Sequence, residues 1–463
     1  MDMKIINKLG YVLLFFGMLT GCSGLLDDVR PDTYILNSKI TVEQLPLLVR
    51  GMYKRMLGGL YGQGNFGDEI ASDNFGSLYS LSAVSNYTNF DACNVSVDDG
   101  LICGRMYDYP YNGIGAANII INFVNDNGDE NPVSRQAKGE ALVLRGYCYM
   151  LLAERFGDAV ITLSAKDDIL REQDSEDKVW ERAEIDLKEA LSYLKDYEVP
   201  TSISLQAAQA LLARLYLNRG VLTSDAGMVA NAGMYASQVL SSSTSLELNP
   251  DFQDNFRSGS TGSEVIFCMQ EVQSVAYNAY LYSLLSPESY EGKNSGNTWV
   301  EPSLATLYNE PDDQRAQLIV KDVYSTTGQE LDYCVKFPAD NNPVWSIVRL
   351  AEMHLIVAEV AARSGVIDVS GYNAVRSVRN ASLKQNTDFA NVDAFLKEIE
   401  NERRREFAGE GLRWMDMRRF GSMKAHLESK GVDIRRVHFP VYSGERVNNP
   451  KLHQTPYLKI FSF

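Results

Sequence analysis

The sequence predicts a mainly α-helical protein in which stacked helix pairs, similar to tetratricopeptide repeats, carry long loops and minor β elements. Two observations lead to this fold class. Apolar residues recur three and four positions apart over much of the 463-residue chain. The heptapeptide ALVLRGY at 141–147 also returns as ALLARLY at 210–216, an offset of 69 residues, or two repeats of about 34. Such helices bury their apolar faces only against neighbours, so a stacked scaffold follows.

The first 21 residues have the pattern of a lipoprotein signal peptide. Lys4 and Lys8 precede a short apolar stretch at 11–19, which is too short to span a bilayer. The segment ends in LTGC at 19–22, which is similar to a bacterial lipobox. We therefore expect removal of residues 1–21 and a lipid anchor on Cys22; ordinary secretion is the alternative.

Apolar periodicity places the helices in order along the chain. An opening helix is predicted within 32–60, using Leu45, Leu48 and Met52. Further helices are predicted over 112–124, 141–155, 180–194, 235–240 and 349–365, and a strand over 265–269. The end of the chain, from 438 to 456, is expected to be ordered coil because prolines and asparagines recur there.

Two segments, 61–111 and 271–345, lack helical periodicity and are rich in aromatic, Gly, Asn and Ser residues. Loops held on a rigid scaffold are where binding residues tend to lie, so we expect ligand contacts here. Trp299 is the first candidate because its neighbours are polar and a large, rigid ring is an efficient stacking platform. The weaker candidates are Tyr79, Tyr87, Phe90 and Tyr290. For each, a core position or a contact with a protein partner is the alternative.

Charge is most concentrated between 398 and 421. The pattern predicts one helix broken at Gly409 and Gly411 and a second short helix ended by Gly421. Arginine keeps its proton at physiological pH, so the cluster is expected to be an ion-paired scaffold and not a catalyst, with a ligand-charge site as the alternative. The predicted cluster comprises Glu352, Glu359, Glu402, Arg403, Arg404, Glu406, Glu410, Arg413, Asp416 and Arg418, with the arginines of 403–419 paired to these acids.

Composition excludes some classes of function. A net charge of −16 and a pI near 4.9 argue against nucleic acid as a partner. The sequence contains no C-x-x-C or H-E-x-x-H motif and four scattered histidines, so neither a metal nor a cofactor is expected. Cys93 and Cys103 lie close enough in sequence to form a disulfide, although buried free thiols are equally compatible with the spacing.

Several motifs resemble those of one family. The run ERRREFAGEGLRWMDMRRFG at 402–421 closely resembles the C-terminal signature of SusD/RagB-family lipoproteins. In the same order as in that family, further resemblances are DEIASDN at 68–74, GEALVLRGYCYMLLAERFGD at 139–158 and NNPKLHQTP at 448–456. The resemblance implies an N-terminal region, 22–270, with a loop-rich insert at 61–111. It also implies a C-terminal region, 271–463, with a variable ligand-facing segment at 271–345.

The resemblance also implies a function. Members of this family are lipid-anchored at the surface of the outer membrane, bind an oligosaccharide or peptide, and deliver it to a SusC-like, TonB-dependent barrel transporter. They are not enzymes. Two alternatives stay open: a helical-repeat adaptor that binds only protein, and a glycoside hydrolase, which would need two carboxylates at a defined separation.

Overall fold

Helices make up most of the described chain, which confirms the predicted mainly α fold. The computed structural model describes residues 40–60, 66–164, 166–257, 263–270, 284–290, 296–338 and 344–454. The helices are α1 (Leu45–Leu60), α2 (Gly67–Ala71), α3 (Tyr87–Asp91), α4 (Cys103–Asn127), α5 (Pro132–Phe156), α6 (Glu176–Ala190), α7 (Leu205–Leu222), α8 (Ala226–Leu240), α9 (Pro302–Ala305), α10 (Leu350–Arg363), α11 (Ser370–Val378), α12 (Val392–Phe407), α13 (Arg413–Phe420), α14 (Met423–Ser429) and α15 (Ser443–Asn448). The signal peptide and Cys22 lie outside the described residues.

The long helices pack as a continuous stack. Helix α1 contacts α4, and contacts then run from α4 through α5, α6, α7 and α8 to α10, onto which α11 and α12 pack. The two copies of the heptapeptide occupy equivalent, buried positions in α5 and α7. This order is the stacked-repeat arrangement that the sequence predicts.

Each copy of the heptapeptide contributes an arginine to a buried ion pair with a later helix. Arg145 donates from Nε and Nη2 to the Asp186 carboxylate of α6 at 2.8 and 2.7 Å. Arg214 donates in the same way to Glu352 of α10, at 2.9 and 2.5 Å. Because a forked arginine fixes both distance and orientation, these pairs set how successive repeats stack.

The strands form three antiparallel pairs among the described residues. They are β1 (Phe75–Ser77) with β3 (Thr298–Val300), β2 (Val265–Gln270) with β6 (Val344–Arg349), and β4 (Ile319–Tyr324) with β5 (Gln329–Cys334). The strand predicted over 265–269 is therefore confirmed. Both members of the first pair come from the segments predicted to be loops.

Several elements differ from the prediction. The helix predicted over 235–240 begins at Ala226 and ends at Leu240. Helix α4 begins at Cys103, nine residues before the predicted start, and includes Pro110 and the tyrosines of 107–111. Proline is tolerated there at the loss of one backbone hydrogen bond. The predicted coil at 438–456 contains the short helix α15. Within the described ranges, no helix is both long and apolar enough to cross a membrane.

The possible disulfide between Cys93 and Cys103 does not form, because each thiol is buried against its own partners. The Cys93 thiol lies 3.3 Å from the carbonyl oxygen of Ala71. The Cys103 thiol lies 3.2 Å from the carbonyl oxygen of Pro440. Burial raises the pKa of Cys93 to about 12, so it is an unreactive thiol at neutral pH.

Candidate functional site

The two predicted ligand-facing segments meet in the ribbon formed by β1 and β3. Gly76 lies opposite Trp299, Ser77 opposite Thr298, and Phe75 opposite Val300. The pairing continues one residue further, since the amide of Leu78 donates to the carbonyl oxygen of Asn297 at 2.8 Å. The ribbon therefore joins residues more than 200 positions apart in the sequence.

One face of this ribbon is core and the other is partly exposed. The inward side chains, Phe75, Ser77, Thr298 and Val300, are at most 2 % exposed. Side chains alternate between the faces of a strand, so the other face carries Asn297, Trp299 and Glu301, all of which are half-buried. Trp299 is thus held on the outward side of a ribbon whose opposite side is anchored in the core.

The indole of Trp299 packs closely against Gly76. A Cβ atom added to Gly76 would come within 2.6 Å of Cε2 and Nε1 of the indole and within 2.4 Å of Oε1 of Glu301. These separations are far below van der Waals contact, so only glycine lets the ring adopt this position. The indole also favours the charged form of the neighbouring Glu301 carboxyl. The ring therefore lies against the backbone of Gly76 and beside Glu301.

Charged groups surround Glu301. Burial raises the pKa of this carboxyl, and the negative charge of Asp91 adds to the effect. Lys430 lies nearby in an ion pair with Asp91 at 2.6 Å. An aromatic ring bordered by carboxylates and an ammonium group can stack on an apolar surface of a ligand and exchange hydrogen bonds with its polar rim.

The weaker candidates occupy different environments. Tyr87 and Phe90 are fully buried, so their prediction as ligand contacts is wrong: the ring pair at positions i and i+3 of α3 faces the core. Tyr79 is half-buried, with its ring 5.6 Å from that of Tyr87. Tyr290 is 39 % exposed. The tyrosines at 277, 280 and 282 lie outside the described residues.

Arg404 ties both strands of the ribbon to helix α12. Its guanidinium donates to Oδ1 of Asn74 at 3.2 Å and to the carbonyl oxygen of Asp73 at 2.8 Å, just before β1. It also donates to Oγ of Ser303 at 3.1 Å, just after β3. Arg413 adds a forked contact to the Asp73 carboxylate at 2.6 and 2.9 Å. Arginines of the charged C-terminal signature thus hold both strands of the ribbon that carries Trp299.

The other arginines of 403–419 also have acidic partners, most of which are buried, although Glu176 is half-buried. Arg403 donates to Asp416 at 2.8 Å and lies 3.8 Å from Glu352, while Arg405 donates to Glu402 at 2.7 Å. Although burial opposes ionisation, the charges of Arg315, Arg405 and Arg376 lower the pKa of Glu402 to about 2. Further pairs are Arg418 with Glu176, and Arg419 with Glu359 and Asp416.

The expected partners of Glu406 and Glu410 are wrong. The sequence paired them with arginines of 403–419, whereas the Glu406 carboxylate accepts hydrogen bonds from Arg315, Arg349 and Arg379 at 2.8–3.2 Å. Glu410 accepts from Arg349 and Lys336. These cations come from other parts of the chain, so Glu406 and Glu410 join α12 and the turn after it to Arg315, Lys336, Arg349 and Arg379.

Family comparisons agree with this architecture. A family model described as "Starch-binding associating with outer membrane" matches residues 26–217. A second, described as the SusD family, matches residues 334–457. The chain belongs to the SusD/RagB family. A search of curated proteins found no significant match.

Solved structures show the same fold. A SusD superfamily protein from Bacteroides thetaiotaomicron VPI-5482 is 20 % identical, with a TM-score of 0.74 over 90 % of this chain and 100 % of that one. A laminarin-binding SusD-like protein is 19 % identical, with a TM-score of 0.75 over 89 % and 99 %. The surface glycan-binding protein A from Bacteroides uniformis is 19 % identical, with a TM-score of 0.74 over 90 % and 100 %.

Proposed function

We propose that the protein is a surface nutrient-binding lipoprotein that captures an oligosaccharide at the Trp299 face and delivers it to a TonB-dependent, SusC-like outer-membrane transporter. The observation that supports this most is the position of Trp299. Its indole is held rigidly against Gly76 on the outward side of a ribbon whose other side is core. A platform already fixed in its binding geometry loses little conformational entropy when a ligand binds.

An oligosaccharide fits this surface better than a peptide. Sugar rings have C–H faces that stack on an indole and hydroxyl rims that need polar partners, and Glu301 and Asn297 stand on the same face as Trp299. Two solved structures of the same fold are named as laminarin-binding and surface glycan-binding proteins. This chain's own ligand is therefore sought first among glucans.

The ligand class is tested by affinity electrophoresis of the purified protein in gels containing laminarin or starch, with calorimetry against a mixture of short peptides in parallel. We expect retardation by at least one polysaccharide and no heat of binding with the peptides. A reducing-end assay on the same mixtures should detect no product, because the proposed role is binding alone. Peptide binding without retardation of the protein by a polysaccharide, or the release of sugar, would contradict this proposal.

The anchor is tested at Cys22. Without its thiol, no lipid can be attached, so the Cys22→Ala variant should move from the outer-membrane fraction to the soluble fraction. Fractionation with a high-salt wash measures this, and Cys93→Ala is the matched control because that thiol is buried in the folded chain. A Cys22→Ala protein that stays with the membrane would exclude a lipid anchor at this position.

The proposed lipid anchor also favours a partnership with a transporter. A lipid confines the protein to the plane of its transporter, which raises the effective concentration of each for the other without any further contact. Purification of the lipoprotein in mild detergent should therefore recover a large β-barrel protein. Recovery of other proteins alone would favour the adaptor alternative.

A further inference from the structure

One cavity shares no lining residue with the β1–β3 ribbon. It has a volume of about 670 Å³ and lies between helix α4, the residues at 160–164 and 169–170, and helix α15. Ile119, Val160, Leu170 and Leu452 form an apolar wall, and Tyr107, Tyr111 and Asn112 add polar groups. Small-molecule sites have volumes of roughly 300–1,000 Å³ with this mixture of lining residues.

Two acidic residues line this cavity, Asp108 of α4 and Glu445 of α15, and each lies close enough to shift the pKa of the other. Neighbouring negative charges disfavour each other, so the second carboxyl of the pair loses its proton less readily than an isolated carboxyl does. Burial raises the pKa of both, and the neighbouring charge of Asp108 helps to raise that of Glu445 to about 7.

This half-buried pair differs from the acids that have a cationic partner. Glu402, Glu406 and Asp186 are each held by guanidinium groups. Among the described residues, no cationic side chain forms an ion pair with Asp108 or Glu445. The pair therefore bears the cost of two adjacent acids in a partly desolvated site, and a bound cation would relieve that cost.

We propose that this cavity binds a small molecule carrying a protonated amine, with the ammonium group between Asp108 and Glu445 and the rest of the molecule against the apolar wall. An ammonium group donates up to three hydrogen bonds, so it can contact both carboxylates at once. Amino sugars and other small hydroxylated amines have this chemistry. The site stands independently of the Trp299 face, since the two share no residue.

Binding of an amine should strengthen as the pH rises through 7. Loss of the last proton from the two carboxyls adds a second negative charge to the pair, and an aliphatic amine stays protonated over that range. The other ionisable groups that line the cavity or act on the pair are Arg55 from α1 and Arg105, Tyr107 and Tyr111 from α4. Burial raises the pKa of both tyrosines further above neutrality.

The test compares two probes that differ in one group: methyl 6-amino-6-deoxy-α-glucoside and methyl α-glucoside. Calorimetry on the full-length lipoprotein in detergent should give about tenfold tighter binding of the amine at pH 8, and a smaller preference at pH 6. The double variant Asp108→Asn, Glu445→Gln should lose the preference. Asp126→Asn, an exposed acid on the same helix, should keep it.

A third variant separates a lost site from a damaged fold. Gly115 lines the cavity, and a Cβ at this position would meet nothing within 4 Å. Gly115→Leu should therefore occupy part of the cavity, favour the helix and abolish amine binding without lowering the melting temperature. Equal affinities for the two probes, no binding of either, or a preference that is lost in Trp299→Ala but kept in the double variant would overturn the proposal.

Discussion

Replacement of Glu406 by alanine is expected to lower the free energy of unfolding by about 3–5 kcal/mol, because it strands buried cations without a counter-charge. Arg315, Arg349 and Arg379 all donate to this carboxylate, and each is at most 1 % exposed. Burial opposes ionisation of Glu406, yet the charges of these arginines hold its pKa well below the usual range. Urea unfolding monitored by circular dichroism measures the loss.

Two controls accompany this variant. Glu406→Gln keeps the shape and the acceptor oxygen but removes the charge, so it should fall between the wild type and Glu406→Ala. Glu428→Ala removes an exposed acid whose pair with Lys424 spans 3.8 Å, and it should change stability by less than about 1 kcal/mol. Unchanged stability together with weaker glycan binding in Glu406→Ala would make this network a ligand site and not a scaffold.

The helical part of the fold is predictable because its signals are local. The repeat at 141–147 and 210–216 predicts two helices from its apolar spacing, and every residue of both copies is buried between neighbouring helices. The turns after α12 are equally local. Gly409 and Gly411 adopt φ values of +82° and +80°, where a side chain would be strained.

The ion-pair partners are not predictable in this way. Charges three or four residues apart in α12 suggest pairing along the helix. Glu406 pairs instead with arginines 27, 57 and 91 residues away. The spacing of residues in a single sequence does not show which distant cation pairs with a buried carboxylate. The pairing of these arginines with carboxylates could be predicted, but the partner of each carboxylate could not.

The candidate site, too, could be predicted from the sequence only in part. Trp299 could be chosen from its polar context, but its position over Gly76 depends on strand pairing across more than 200 residues. Tyr87 and Phe90 were misplaced because SNYTNFD is polar overall. A signal for the core was present: Asn86 caps helix α3 by accepting from the amide of Asn89, and the two rings stand three apart after it.

Replacement of Trp299 by alanine is expected to weaken binding of the glycan that retards the protein by about 1–3 kcal/mol, as for a central aromatic contact. The fold should persist, because the half-buried ring lies on the outward face of the ribbon while Phe75 and Val300 fill the core side. Trp299→Phe keeps a flat ring but loses the indole N–H that acts on the Glu301 carboxyl, so it should lose less affinity. Calorimetry with a thermal melt of each variant measures both quantities.

Gly76→Ala tests the same platform without touching the indole. The added Cβ would overlap Nε1 of Trp299, so the ring must leave its position and affinity should fall toward that of Trp299→Ala. The matched control is Gly51→Ala, where a Cβ meets nothing within 4 Å and binding should be unchanged. Since both variants of the pair act through one ring, Gly76→Ala should add little to Trp299→Ala in the double variant. Additive losses, or full affinity in Trp299→Ala, would move the glycan site away from this ribbon.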